Sequence, residues 1–178
     1  MLEDYFNSEE IEALRRCDNL EIKCLRIIAK LFDGRTDKCG KPYLGHLLRV
    51  SERLTDKDER CAALLHDTLE DIEGFSADML LYLGIPQNVV DMVVLLTKTK
   101  GRPYDEEIDG IIRSGNDGAL RIKFSDMLDN SSPERLCDLD EETRTRLTNK
   151  YSPQLKKLKL ELKKRGIEKW EILKKMKN

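Results

Sequence analysis

Cys61-Ala62-Ala63-Leu64-Leu65-His66-Asp67-Thr68-Leu69-Glu70-Asp71 runs from an apolar segment straight into four ionisable side chains. The apolar part reads as buried helix. A His-Asp pair at its inner end is costly to bury unless it is paired or holds a metal. The 178-residue chain has two histidines, His46 and His66. If both are ligands, none is left for surface duty.

Working outward, helix signals recur along the chain and no strand alternation is evident. Asn7 or Ser8 opens a first helix reaching near Cys17. A second covers Leu20 to Phe32, with Ile22, Leu25, Ile28 and Leu31 as its apolar face. A polar loop leads to Pro42, and a helix over about Tyr43 to Leu54 carries His46. Asp56 or Asp58 caps the helix with Ala62, Leu65, His66 and Leu69, and Gly74 stops it. Ser76 caps a short helix ending at Gly84. Pro86 sits in the first turn of another, running to Thr97, whose Val89, Val90, Val93, Val94 and Leu96 read as core. Helical stretches follow over Glu106–Arg113 and Asp117–Asn130, and Pro133 interrupts. A long final helix starts near Asp140, with breaks or kinks expected at Pro153 and Gly166. Leu155, Leu158 and Leu162 would dock it on the domain. The fold class is all-α. Residues 1–150 form the main domain, and 151–178 a basic helical extension packed on it.

Composition narrows the function classes. Charged residues make up 37% of the chain, hydrophobic ones 39% and aromatics 6%, with a net charge of −2. That balance gives no global push toward nucleic acid or membrane. Ten Lys/Arg against three Glu fall after Lys150, and a solvated helix face accounts for them best. Five scattered cysteines without a C-x-x-C pair fit reduced thiols, and no apolar run spans a bilayer. A cytoplasmic location is expected, with a small-molecule partner; a homo-oligomer is compatible.

Imidazole with carboxylate suits Mn, Fe, Co or Zn. His66 and Asp67, about 100° apart on one helix, need ligands from other helices to close the site. His46 can supply one. Asp126 is the carboxylate candidate, because Lys123, Asp126 and Asn130 fall at i, i+3 and i+7 on one helical face. That face presents a cation, an acid and an amide together. Glu70 and Asp71 follow one turn after His66 and Asp67, where carboxylates can take or give a proton beside a metal centre.

An isolated His, a later H-D pair and a K-x-x-D-x-x-x-N face together resemble the HD-domain phosphohydrolases. More narrowly, the chain resembles the hydrolase domain of RelA/SpoT-type alarmone enzymes and their small stand-alone relatives. The matching blocks are Gly40-Lys41-Pro42-Tyr43-Leu44-Gly45-His46, Ala62 to Asp71, Leu96-Thr97-Lys98, and Ile122-Lys123-Phe124-Ser125-Asp126-Met127-Leu128-Asp129-Asn130. They cover about Leu25 to Arg135, some three-fifths of the chain.

The resemblance implies an HD-type helical bundle with His46, His66, Asp67 and Asp126 holding one divalent metal, Mn²⁺ in this branch. It implies Glu70 and Asp71 as the pair that orients and deprotonates water. Lys123 and Asn130 would face the nucleotide, with Asn130 near its sugar, and Thr97 and Lys98 would stand at the pocket wall. The implied reaction removes the 3′-pyrophosphate of a guanosine 3′,5′-bis(diphosphate)-like nucleotide in the stringent response. The remaining residues leave no room for a synthetase. Three positions depart from the pattern. Asp37 stands where the family has a base-stacking Arg, Met127 replaces a basic residue, and the loop after Asp71 is short. They bear on the base recognised. An HD hydrolase of another nucleotide or phosphoester is therefore the alternative, followed by a catalytically idle metal- and nucleotide-binding module.

Overall fold

The computed structural model describes residues 1–136 and 139–167, the side chain of Glu134 excepted. Expectations that fall on Cys137 or on the last eleven residues, including Lys169, Lys174, Lys175 and Lys177, lie outside the described residues. After a 3₁₀ turn at Leu2–Asp4, the helices are α1 (Ser8–Arg15), α2 (Leu20–Leu31), α3 (Leu44–Glu52), α4 (Lys57–Leu65), α5 (Thr68–Asp71), α6 (Ala77–Tyr82), α7 (Gln87–Leu96), α8 (Tyr104–Arg113), α9 (Asp117–Asn130), α10 (Pro133–Leu136) and α11 (Glu141–Lys164). Extended pairing among the described residues is limited to one bridge, Thr36 with Pro42, which closes the loop before α3.

Short polar side chains set the helix starts by accepting the first free backbone N–H groups. Asn7 and Glu10 form a reciprocal capping box. Asn19 caps α2, Asp56 caps α4 through the N–H groups of Asp58 and Glu59, Asn116 caps α9 and Asp140 caps α11. Pro86 stands just before α7 with extended backbone, one position earlier than its expected place.

The core surrounds α4. Cys61, Ala62, Ala63, Leu64 and Leu65 are all buried, and α2, α3, α7 and α9 pack on this helix from different sides. The second half of α4 is apolar on every face, and such a segment belongs inside a protein. The one buried acid of α4, Glu59, is met by the Arg121 guanidinium of α9 at 2.9 Å. Gly118 admits α9 at close range: a Cβ there would meet Met92 Sδ at 2.7 Å and Glu59 Cγ at 3.2 Å.

Four expectations need correction. The buried face of α2 is Cys24, Ile27, Ile28 and Leu31, and Ile22 is exposed. On α7 Val94 is exposed while Val89, Val90, Val93 and Leu96 are buried. In both helices the apolar stripe is wider than the face that finds a neighbour. Pro153 does not break α11, which continues to Lys164. The carbonyl deprived of its donor belongs to exposed Asn149, where water can serve it. Finally, α4 stops at Leu65 instead of continuing through Leu69.

Helix α11 lies along α9 and α8. Leu158 and Leu162 are buried against the core, and Arg165 ties its end to Asp117 (2.9 Å) and to the carbonyl of Ile112 (2.6 Å). Lys157 pairs with Asp109, so part of the basic run answers acids of its own fold. Leu158→Ala is expected to destabilise the protein by about 2–5 kcal/mol, since it opens a cavity under α11. Denaturant unfolding checks this, and a loss under about 0.5 kcal/mol would mean that α11 rests on the surface.

Candidate metal centre

The end of α4 shapes the site. His66 Nδ1 lies 2.7 Å from the carbonyl of Ala63, and Thr68 Oγ1 donates to the carbonyl of Leu65 at 2.7 Å. Side chains thus take carbonyls that a continuing helix would use. The chain turns at His66 and Asp67 before α5 begins. On an unbroken helix the two side chains would diverge by about 100°. Here His66 Nε2 and Asp67 Oδ2 come within 3.1 Å.

His46 from α3 and Asp126 from α9 complete the cluster. His46 Nε2 is 3.4 Å from Asp126 Oδ1 and 3.7 Å from Asp67 Oδ2, and His66 Nε2 is 3.8 Å from Asp126 Oδ1. Donors bonded at about 2.1 Å to one divalent ion stand about 3.0–3.5 Å apart, close to these separations. A second observation points the same way. A carbonyl only accepts, so the neutral His66 ring spends its proton on Ala63 and leaves a lone pair on Nε2. That atom is buried without a hydrogen-bond partner, and a carboxylate oxygen of Asp67 lies 3.1 Å from it. A lone pair facing an anion is repulsive unless a cation lies between them, a proton in the metal-free protein or a metal ion in the loaded one. His46, His66 and Asp126, with ligand atoms mutually within 4.8 Å, could hold a divalent metal.

Burial disfavours charge throughout the cluster, but the neighbours outweigh it. Hydrogen bonds to Asp126 and Asp129 raise the His46 imidazole above its ordinary value. The charge of Asp67 raises His66 well above its own. The His66 ring holds Asp67 below the usual carboxylate range, and the Lys123 ammonium does the same for Asp126. In the metal-free protein both rings therefore retain protons to higher pH than free imidazole does. They must lose them to ligate. Metal affinity is expected to fall as pH drops through these raised values, and binding to release protons. The metal-free fold gains from the charged rings below the ordinary histidine value and loses this gain as pH rises through the raised ones. Calorimetric Mn²⁺ titrations between about pH 6 and about pH 8 check this, and a pH-independent affinity would contradict it.

The acids after the pair separate. The Tyr43 hydroxyl, from the residue before α3, lies 2.6 Å from Asp67 Oδ2 and 3.0 Å from Asp71 Oδ2. Its ring is stacked on Phe32, with centroids 5.1 Å apart. Asp71 thus sits beside the cluster, its carboxyl raised by burial and by the charge of Asp67. Glu70 turns toward Lys98, pairing with its ammonium and accepting its backbone N–H at 3.4 Å.

Lys123 is buried, with Nζ 2.9 Å from Asp126 Oδ2, and the Asn130 amide donates to Asp126 Oδ1. The i, i+3, i+7 face is thus assembled around one carboxylate. The Thr97 hydroxyl is spent on the carbonyl of Val93 at 2.8 Å. At the rim, Lys150 Nζ lies over Tyr104 (4.4 Å) and Tyr151 (5.4 Å). Burial lowers this ammonium, and so does the nearness of Lys98, Lys38 and Lys123.

Two features escape sequence reasoning. One is Lys150 with its two tyrosines, because nothing in the pattern ties α11 to the site. The other is Asp129, wholly buried, which meets His46 Nδ1 at 2.8 Å and three guanidiniums. A signal for it exists: His46, Arg49 and Arg53 lie at i, i+3 and i+7 on α3, a basic stripe that needs a buried acid opposite. Asp37, at the family's base-stacking position, is built into its loop. It accepts the backbone N–H groups of Cys39 (2.9 Å) and Lys41 (3.0 Å) and pairs with Arg135 at 3.6 Å.

No family model matches the chain. A curated relative, "Probable guanosine-3′,5′-bis(diphosphate) 3′-pyrophosphohydrolase" of Mycoplasma pneumoniae, is 30% identical over 112 residues. The match covers 52% of this chain, which spans only 15% of that relative's length. A solved structure, described as a metazoan ortholog of SpoT that hydrolyzes ppGpp and plays a role in starvation responses, superposes with a TM-score of 0.60 at 24% identity. It covers 85% of this chain and 98% of its own, so the helical fold is shared. In sequence over about half its length, and in fold over most of it, the chain resembles RelA/SpoT-type hydrolase domains.

Proposed function

We propose that the protein is a metal-dependent phosphohydrolase that removes the 3′-pyrophosphate of guanosine 3′,5′-bis(diphosphate). His46, His66, Asp67 and Asp126 hold one divalent ion, Mn²⁺ by analogy with the family. The observation that carries the reading is the buried His66 Nε2, without a hydrogen-bond partner and facing carboxylate, beside a rim of lysines. An ion bound there supplies a Lewis acid that polarises a phosphoryl oxygen and acidifies nearby water.

The chain's own groups do the rest. Asp71, set against Asp67 by Tyr43, accepts a proton from the attacking water, and Glu70 helps orient it. Lys123 neutralises charge at Asp126 and faces the transferring phosphate. Lys98, Lys150 and Lys38 meet the diphosphate groups of a polyanionic substrate, a use that accounts for like charges gathered at one rim. Asn130 is placed for the sugar, and Thr97 serves as wall. Among the described residues no helix is long and apolar enough to cross a membrane, and Cys17, Cys24, Cys39 and Cys61 are free thiols. Both agree with work in the cytoplasm on a dissolved nucleotide.

One observation favours a second reading, hydrolysis of a different nucleotide. Asp37 is committed to its own loop and offers no stacking plane, so base recognition rests on other groups. An assay with Mn²⁺ over a panel of nucleotide polyphosphates tests both. Preference for guanosine 3′,5′-bis(diphosphate) supports the first reading. A better substrate lacking the 3′-diphosphate supports the second. Metal and nucleotide binding without turnover would overturn both.

A further inference from the structure

The metal reading uses His46 Nε2, and what lies behind that ring has no role in it. His46 Nδ1 meets Asp129 Oδ2 at 2.8 Å. The same carboxylate takes a two-pronged contact from Arg49, Nε to Oδ1 at 2.8 Å and Nη2 to Oδ2 at 3.0 Å. Arg53 Nη2 reaches Oδ1 at 3.0 Å and Arg135 Nη1 reaches Oδ2 at 3.1 Å. Five donors thus converge on two oxygens, which fills a carboxylate's capacity. The side chain is fully buried and cannot turn without breaking several charge-assisted bonds.

A carboxylate accepts and does not donate, and Asp129 lies 2.8 Å from Nδ1 whereas Asp126 and Asp67 lie 3.4 and 3.7 Å from Nε2, so a neutral His46 places its proton on Nδ1 and its lone pair on Nε2. Nε2 is the atom that faces Asp67 and Asp126. Without Asp129 the ring is free to flip or to move its proton, and either change spoils the ligand. The three arginines let the acid occupy a dry site beside the cluster without being an unpaired charge. Arg135 also reaches Asp37, so the clamp extends into the loop that leads to α3.

We propose that Asp129, clamped by Arg49, Arg53 and Arg135, is the positioning residue that sets the tautomer and ring orientation of His46 for metal binding. The proposal rests on the metal-centre reading above. Its test is chosen to separate the two.

Both histidines lie in the cluster, so ¹⁵N-histidine labelling yields only two rings to assign. Long-range ¹H–¹⁵N spectra of the metal-free protein, at a pH where the rings are neutral, report each tautomer. The expected wild-type result is a single Nδ1–H form for His46. In Asp129→Ala, His46 should show mixed or Nε2–H tautomers, and Mn²⁺ affinity, read by counting free ion in EPR, should fall about 10–100-fold. Asp129→Glu keeps the charge against the arginines but displaces the acceptor, and should move both readouts the same way if the alanine variant does not fold. A wild-type Nε2–H form of His46, or folded variants with unchanged tautomer and affinity, would overturn the proposal. Because the tautomer is read without metal or substrate, an inactive wild type with the Nδ1–H form would count against the function alone.

Discussion

Asp67→Ala is expected to lower kcat/KM for guanosine 3′,5′-bis(diphosphate) by about 10³-fold or more, and to weaken Mn²⁺ binding, while leaving the chain folded. Asp67 is both a proposed ligand and the anion opposite His66 Nε2 at 3.1 Å. Its removal takes charge and one donor from a site with four. Tyr43 keeps Asp71 as a partner, and the core on α4 is untouched, so the fold survives. Steady-state kinetics and calorimetric metal titration read the two effects. Full activity in a folded variant that no longer binds metal would mean that catalysis happens elsewhere.

Asp71→Asn is expected to cut kcat by about 10²–10⁴-fold, with Mn²⁺ affinity within about 3-fold of the parent. Asp71 is outside the proposed ligand set but shares the Tyr43 hydroxyl with Asp67. The amide keeps size and some hydrogen bonding yet cannot accept the proton. Burial and the charge of Asp67 already push this carboxyl upward, which suits a base. The pattern to look for is a loss in kcat with little change in KM. An equal loss of metal affinity would instead make Asp71 part of the ligand set.

The two variants divide the site as its sequence divides. The ligand candidates were legible because they are the chain's two histidines, the acid beside one of them, and an acid sharing a helical face with Lys123 and Asn130. His46, His66, Asp67 and Asp126 do converge. The helix starts at Asn7, Asp56, Ser76 and Asp140 were legible too, because each carries a short acceptor just ahead of a helical run. The turn at His66–Asp67 was not. It depends on His66 and Thr68 bonding backward to Ala63 and Leu65, and a run of good helix residues does not announce that choice. Nor could periodicity decide which part of a wide stripe finds a neighbour, which is why Ile22 and Val94 are exposed. Glu70 looked like the twin of Asp71, but its partner Lys98 lies 28 residues on. Asp129 stayed hidden among the acids of α9 because its value depends on arginines from α3 and α10.

The most direct test of the account is ³¹P NMR of guanosine 3′,5′-bis(diphosphate) incubated with the purified protein, with Mn²⁺ and with chelator. The account predicts one pyrophosphate and one guanosine 5′-diphosphate per substrate consumed, formed only with metal. Release of single phosphates, turnover unaffected by the chelator, or an unchanged substrate at saturating Mn²⁺ would contradict it.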